Sequence, residues 1–138
     1  MPDELLWTED ARAALLALAR AAAPRECAAL LGGRRDGRTT SITDVEALAN
    51  RAADDEAFAV GGREFLRAEG ALAARGLTFL GFAHSHPRGA AAPSARDRAE
   101  LWTGCLQLIT DGDQVRAYWL DERRAVRPLP LGGAEAAR

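Results

Sequence analysis

The chain is expected to fold as a single mixed α/β domain, a β-sheet flanked by helices, and three observations carry that expectation. Short apolar runs of strand length alternate with longer stretches in which apolar residues recur at helical spacing. Glycine and proline turn signals separate these runs. The 138 residues, 48% of them hydrophobic, suit one domain with a real core, and no internal repeat or linker divides them. The domain is expected over residues 1–130, with 131–138 a flexible C-terminal tail.

The elements follow in chain order. Residues 1–7 read as a short leading strand, with Leu5, Leu6 and Trp7 supplying apolar surface. Thr8 is an N-cap, and Glu9 and Asp10 fall in the first helical turn, where acids suit the helix dipole. Ala11, Leu15, Leu18 and Ala22 recur at helical spacing, and Pro24 ends the helix. Residues 27–31 form a core strand expected to stop at Gly32-Gly33. Asp36-Gly37 signals a turn, and residues 39–48 return antiparallel. Residues 50–60 are irregular. Asp54-Asp55-Glu56 reads as a solvated acidic loop and Phe58-Ala59-Val60 as a short edge strand. A second helix is expected at about 63–75, with Phe65, Ala68 and Leu72 on one face and Gly76 at its end. Residues 77–83 are a buried strand leading into His84, and a short third helix follows Ser94. Strands at 105–110, 114–120 and 125–129 are joined by turns at 111–113 and 121–124.

Composition narrows the function. A formal net charge of −2 offers no general nucleic-acid or membrane surface. The sequence shows no signal peptide and no apolar run long enough to span a bilayer, so a cytoplasmic location is expected. Cys27 and Cys105 sit in apolar runs and are expected as buried free thiols. There is no Cys-x-x-Cys pair for a thiolate-rich zinc site. All 18 basic residues are arginine, so the chain offers no lysine to an isopeptide-forming system.

The chemistry concentrates in Gly81-Phe82-Ala83-His84-Ser85-His86-Pro87, continuing to Ser94 and Asp97. His84 and His86 are the only two histidines. On a strand, residues two apart share a face, so both imidazoles would project together where Pro87 stops regular pairing. Asp97 could complete a two-nitrogen, one-oxygen ligand set with a fourth position left for water, the pattern of a catalytic zinc site. Ser94-Ala95-Arg96-Asp97 is also a capping-box pattern, and the two readings are compatible.

These residues carry a resemblance. His-x-His-Pro, six residues, then Ser-x-x-Asp resembles the signature of the JAMM (MPN+) metalloprotease family, here in the form of a short prokaryotic member. Arg25-Glu26-Cys27-Ala28-Ala29-Leu30-Leu31-Gly32-Gly33 looks like the family's upstream glutamate segment, so the resemblance runs from about residue 5 to 130. It implies a single MPN-like (cytidine-deaminase-like) α/β domain with a mixed, curved sheet. It implies Zn2+ held by His84, His86 and Asp97, Glu26 as general base then acid, and Ser94 as donor to the oxyanion if not simply a cap. No acyl-enzyme is implied. Cys27 should point away from Glu26, which argues against a cysteine nucleophile.

The resemblance further implies a metallopeptidase or isopeptidase cutting after the C-terminal Gly-Gly of a ubiquitin-like or sulfur-carrier protein, whose tail would add as a strand to the groove edge. Residues 50–60 would border that groove. The alternatives are a non-catalytic binding module for ubiquitin-like proteins and a RadC-type protein of unknown activity, whose similar motif carries Asn where Ser85 stands. A zinc deaminase fails for want of its His-x-Glu and Pro-Cys-x-x-Cys signature. Leu131-Gly132-Gly133 itself resembles the processed end of a ubiquitin-like protein. The partner's identity, the bond type and the oligomeric state stay open at this point.

Overall fold

The structure, a computed structural model, describes residues 1–49 and 61–133. The elements, in chain order, are β1 (Glu4–Trp7), α1 (Glu9–Ala22), β2 (Ala28–Asp36), β3 (Thr39–Leu48), α2 (Gly62–Ala74), β4 (Thr78–Ser85), α3 (Ala95–Glu100), β5 (Cys105–Thr110), β6 (Val115–Leu120) and β7 (Val126–Leu129). The strands form one mixed sheet in the order β1-β3-β2-β4-β5-β6-β7. β1 runs parallel to β3 and β4 parallel to β5; the other neighbours are antiparallel. The sheet curls until its two ends meet, where Gly132 N–H donates to Leu5 O at 2.8 Å and Gly132 bridges Leu6. A mixed α/β domain with a curved sheet is therefore what the chain forms.

Each face of the sheet buries an apolar layer. On one, α1 packs Leu15 and Ala19 against Leu31, Ile42, Leu80 and Leu108. On the other, α2 packs Ala68 and Leu72 against Leu30, Leu48 and Phe82. Fully burying a leucine is worth about 1.5–3 kcal/mol, so these two layers dominate the fold's stability. α1 starts as its sequence directs, with Thr8 Oγ1 accepting from Ala11 N–H. α2 ends with Gly76 at a φ of +73°, a left-handed conformation that glycine adopts without strain.

Two expectations need correction. Gly32-Gly33 does not end β2, which continues to Asp36. The pair lies where the β2–β4 and β2–β3 registers shift, and a Cβ on Gly33 would collide with Ser41 O. The glycines are there for close backbone approach, which a turn signal mimics in sequence. The second correction concerns the tail expected to be flexible from residue 131. Leu131 packs against the core and Gly132 pairs with β1, because β7 delivers the chain to the open edge of β1. The expected acidic loop and edge strand at 50–60 lie outside the described residues, as do residues 134–138.

The register shift also aims the histidines. Leu31 faces Gly81 but Gly32 faces Phe79, so Leu80 is an extra residue in β4. Phe79 and Phe82 consequently share the α2 face, while Leu80 and Ala83 share the α1 face. From Phe82 onward the even positions, including His84, point to the α2 side. Without the bulge, alternation from Phe79 would have sent His84 to the other face.

Candidate metal centre

The site sits where β4 ends beside the start of β2. Ala28 is the register partner of His84, and Ser85 N–H donates to Cys27 O at 3.2 Å. Continued one step, this antiparallel register sets Glu26 opposite His86. Ser85, between the two histidines, faces the other way, and its Oγ accepts from Cys27 N–H at 2.7 Å. It thus locks the strand that carries the histidines to the residue after Glu26. His86 N–H donates to Thr110 O at 2.8 Å, which carries the β4–β5 pairing past the last strand residue.

Asp97 reaches the site from α3. Ser94 Oγ accepts from Asp97 N–H at 3.1 Å, and Asp97 Oδ2 accepts from Ser94 N–H at 2.9 Å, a complete capping box. The same Oδ2 lies 3.2 Å from His84 Nε2 and 3.0 Å from His86 Nε2, and the two Nε2 atoms are 3.0 Å apart. Three potential ligand atoms therefore form a nearly equilateral triangle. Ligands at about 2.0–2.2 Å around a tetrahedral zinc would stand roughly 3.3 Å apart, so the triangle fits such an ion with little movement. Glu26 is the nearby fourth group. One ligand atom each from Glu26, His84 and His86 lies within 4.8 Å of the others. His84 is fully buried, while Glu26 and Asp97 are 6% and 7% exposed.

The electrostatics suit a cation. His86 Nδ1 lies 3.0 Å from Ala90 O, and a carbonyl can only accept, so Nδ1 carries the proton. A neutral His86 then presents the lone pair of Nε2 to the carboxylate of Asp97. Two electron-rich atoms 3.0 Å apart require a proton or a metal ion between them. Burial pushes the His84 imidazole down, against the pull of Asp97, which favours the neutral, ligating form. Burial alone would raise Asp97, but the imidazoles of His84 and His86 and the Ser94 N–H hold it well below the usual carboxylate range. Burial also lowers His86, but Asp97 and the Ala90 carbonyl outweigh it and raise its pKa. A histidine ready to charge beside an ionised aspartate is what a metal-ligand set looks like when a proton stands in for the metal.

The two cysteines fall out as nucleophiles. Burial raises the thiol of Cys27 and pushes that of Cys105 up to about 11, so neither is a thiolate nucleophile. Gly132 pairs with Leu6 of β1, and Leu6 faces Ser41, whereas Leu48 marks the metal end of β3. At about 3.3 Å per residue the two places are roughly 20 Å apart along β3.

The sequence pointed to all five of Glu26, His84, His86, Ser94 and Asp97, and the fold brings them to one place. It did not point to Ala90, whose carbonyl orients the His86 ring, or to Tyr118, whose hydroxyl donates to Ala91 O at 2.8 Å and steadies that loop. A backbone carbonyl leaves no sequence signal, since any residue carries one.

Comparison with known proteins gives a consistent result. The family model for prokaryotic homologues of the JAB domain matches residues 8–121. A protein named desampylase, from Haloferax volcanii, is 34% identical over 118 residues, spanning 80% of this chain and 84% of that protein. A probable TtuB-protein conjugate cleaving protease from Thermus thermophilus is 35% identical over 110 residues, 79% of this chain and 71% of that one. The solution structure of a protein from Desulfitobacterium hafniense superposes with a TM-score of 0.83 at 30% identity, covering 93% of this chain and 91% of that chain. A JAB1/MPN domain protein from Archaeoglobus fulgidus, at 19% identity, has a TM-score of 0.57 over 92% of this chain and 95% of that one, and so shares the fold.

Proposed function

The chain belongs to the family of prokaryotic JAB-domain homologues, and from that premise we propose that it is a zinc metallopeptidase that hydrolyses the bond after the C-terminal Gly-Gly of a ubiquitin-like or sulfur-carrier protein. The names of its two relatives, a desampylase and a conjugate-cleaving protease, place it among JAMM-type hydrolases. The observation that carries the reading is the convergence of His84 Nε2, His86 Nε2 and Asp97 Oδ2, with Glu26 buried beside them.

His84, His86 and Asp97 would hold the zinc, a borderline ion suited to imidazole and carboxylate. When bound, zinc supplies Lewis acidity and makes water a nucleophile near neutral pH. Glu26 accepts a proton from the attacking water and returns it to the leaving amine as the C–N bond breaks. Its burial at the start of β2 keeps it from competing solvent. The Ser94 Oγ is occupied as an acceptor by Asp97 N–H, which leaves its O–H free to donate to the oxyanion. The Ala90 carbonyl accepts from His86 Nδ1–H and so fixes the tautomer that presents Nε2 to the site, which orients the ring before metal arrives.

A cytoplasmic location goes with this reading. Cys27 and Cys105 are both free and buried, as suits a reducing compartment. Among the described residues no helix is long and apolar enough to cross a membrane. The test is to incubate the purified protein with ubiquitin-like and sulfur-carrier proteins extended beyond Gly-Gly, and to read products by intact mass. We expect a cut after Gly-Gly that chelation abolishes and zinc restores. Cleavage that survives full chelation, or none with any carrier at one zinc per chain, would refute the proposal.

A further inference from the structure

A six-residue helix cannot hold itself together, because isolated helices shorter than about 12–15 residues are marginal in water. α3 nevertheless has to present Asp97 to two imidazoles within about 0.5 Å of the productive geometry. Its N-terminal end is tied by the Ser94 capping box. Its C-terminal end is tied by a turn distant in sequence, the connection between β6 and β7.

There the guanidinium of Arg124 donates from one nitrogen to Arg98 O at 3.0 Å and Leu101 O at 2.9 Å, two carbonyls at the end of α3. Leu101 N–H in turn donates to Asp97 O at 2.9 Å. Two hydrogen bonds therefore join the Arg124 side chain to the backbone of Asp97. Glu122, from the same turn, accepts from Thr103 Oγ1 at 3.1 Å and steadies the exit from the helix. Arg124 has a φ of +63°, the only left-handed non-glycine among the described residues. A glycine there would avoid the backbone cost. The turn is itself closed by Asp121, whose Oδ1 accepts from Arg123 and Ala125 N–H at 2.8 and 3.0 Å. A side chain kept at a strained position by its surroundings, and used to satisfy another element's carbonyls, has a job that glycine cannot do.

We infer that Arg124 is a positioning residue for Asp97, acting through the backbone of α3. The inference rests on the reading of Asp97 as a metal ligand, and the test separates the two. The full chain, Arg124→Gly, Arg124→Lys and Arg123→Ala are compared for zinc affinity by chelator competition, for the Co2+ absorption spectrum, and for thermal unfolding of the metal-free form. Arg124→Gly relieves the backbone, so it should fold with an unchanged or higher midpoint. Its zinc affinity should fall about tenfold, at the low end of what loss of an orienting partner costs, and its Co2+ bands should weaken or shift. Arg124→Lys should lie between, and Arg123→Ala, which removes the same charge nearby, should bind zinc as tightly as the unaltered chain or slightly tighter.

Charge loss alone has the opposite sign, since removing a cation near a cation site tightens metal binding. Unchanged or tighter binding by Arg124→Gly would therefore overturn the inference. So would a loss of affinity accompanied by a matching fall in the unfolding midpoint, which would make Arg124 a residue of the fold only. Failure of the unaltered chain to bind zinc would bring down the ligand reading itself, and this inference with it.

Discussion

The two ends at which α1 and α3 begin look alike and do different work. Thr8 Oγ1 accepts from Ala11 N–H at 3.1 Å, and Ser94 Oγ accepts from Asp97 N–H at 3.1 Å. Both caps are extended in backbone, and in both helices the residue donating that bond is buried. The difference is what that third helical position buries. In α1 it is the methyl of Ala11, 1% exposed, which enters the apolar layer with Leu5 and Leu15. In α3 it is the carboxylate of Asp97, which burial would penalise heavily without partners, and which finds them in His84 and His86. The cap sets the helix start in both places. A buried charge with convergent imidazoles is what marks one of them as a site.

The comparison breaks most visibly if the carboxylate is removed. Asp97→Ala should lose tight metal binding and lower the cleavage rate by more than about 10³-fold, because one ligand and the orientation of two imidazoles go together. Isothermal titration with zinc and an intact-mass time course would read both. The reverse exchange, Ala11→Asp, places the same side chain at the same helical position without partners. It should cost on the order of 3 kcal/mol and lower the thermal midpoint by many degrees, which a melt followed by circular dichroism would show.

The two caps themselves separate next. Thr8→Ala should cost about 1 kcal/mol of stability with no change in rate per folded molecule. Ser94→Ala should cost a similar amount and also slow cleavage by about 10²–10³-fold if its hydroxyl meets the oxyanion. An unchanged rate would reduce Ser94 to a cap. Among the residues at the site, the smallest expected change in rate comes from Ser85→Ala, which leaves the buried Cys27 N–H without its acceptor. A loss of about 1–3 kcal/mol should appear in denaturant unfolding, with rate falling only as far as Glu26 is displaced.

Much of this was legible from residue order. The spans of β3 and β5 and the cap of α1 follow from turn chemistry and periodicity that nothing in the packing overrides. His84 and His86 were legible as a pair because residues two apart on a strand share a face, whereas Asp97, which a capping box alone would explain, was legible as their partner through the resemblance of the whole motif to the JAMM signature. Gly32-Gly33 misled because a glycine pair serves equally for a turn and for close strand approach, and only the neighbour Ser41 O decides. The face on which His84 lies depends on the extra residue Leu80, and a bulge has no reliable signature in a single sequence. Arg124 and the carbonyl of Ala90 act through backbone atoms, which every residue type shares.

The proposed mechanism divides labour between two buried carboxylates, Asp97 as ligand and Glu26 as base. Glu26 shares a potential ligand cluster with both histidines, so the division is open to direct test. The measurement is zinc stoichiometry and affinity for Glu26→Gln beside Asp97→Asn, with cleavage followed by intact mass on the same samples. Glu26→Gln should keep one zinc at near-unaltered affinity and lose about 10²–10⁴-fold in rate, while Asp97→Asn should lose the zinc. If Glu26→Gln sheds the metal and Asp97→Asn retains it, the two roles are exchanged and the proposed division is wrong.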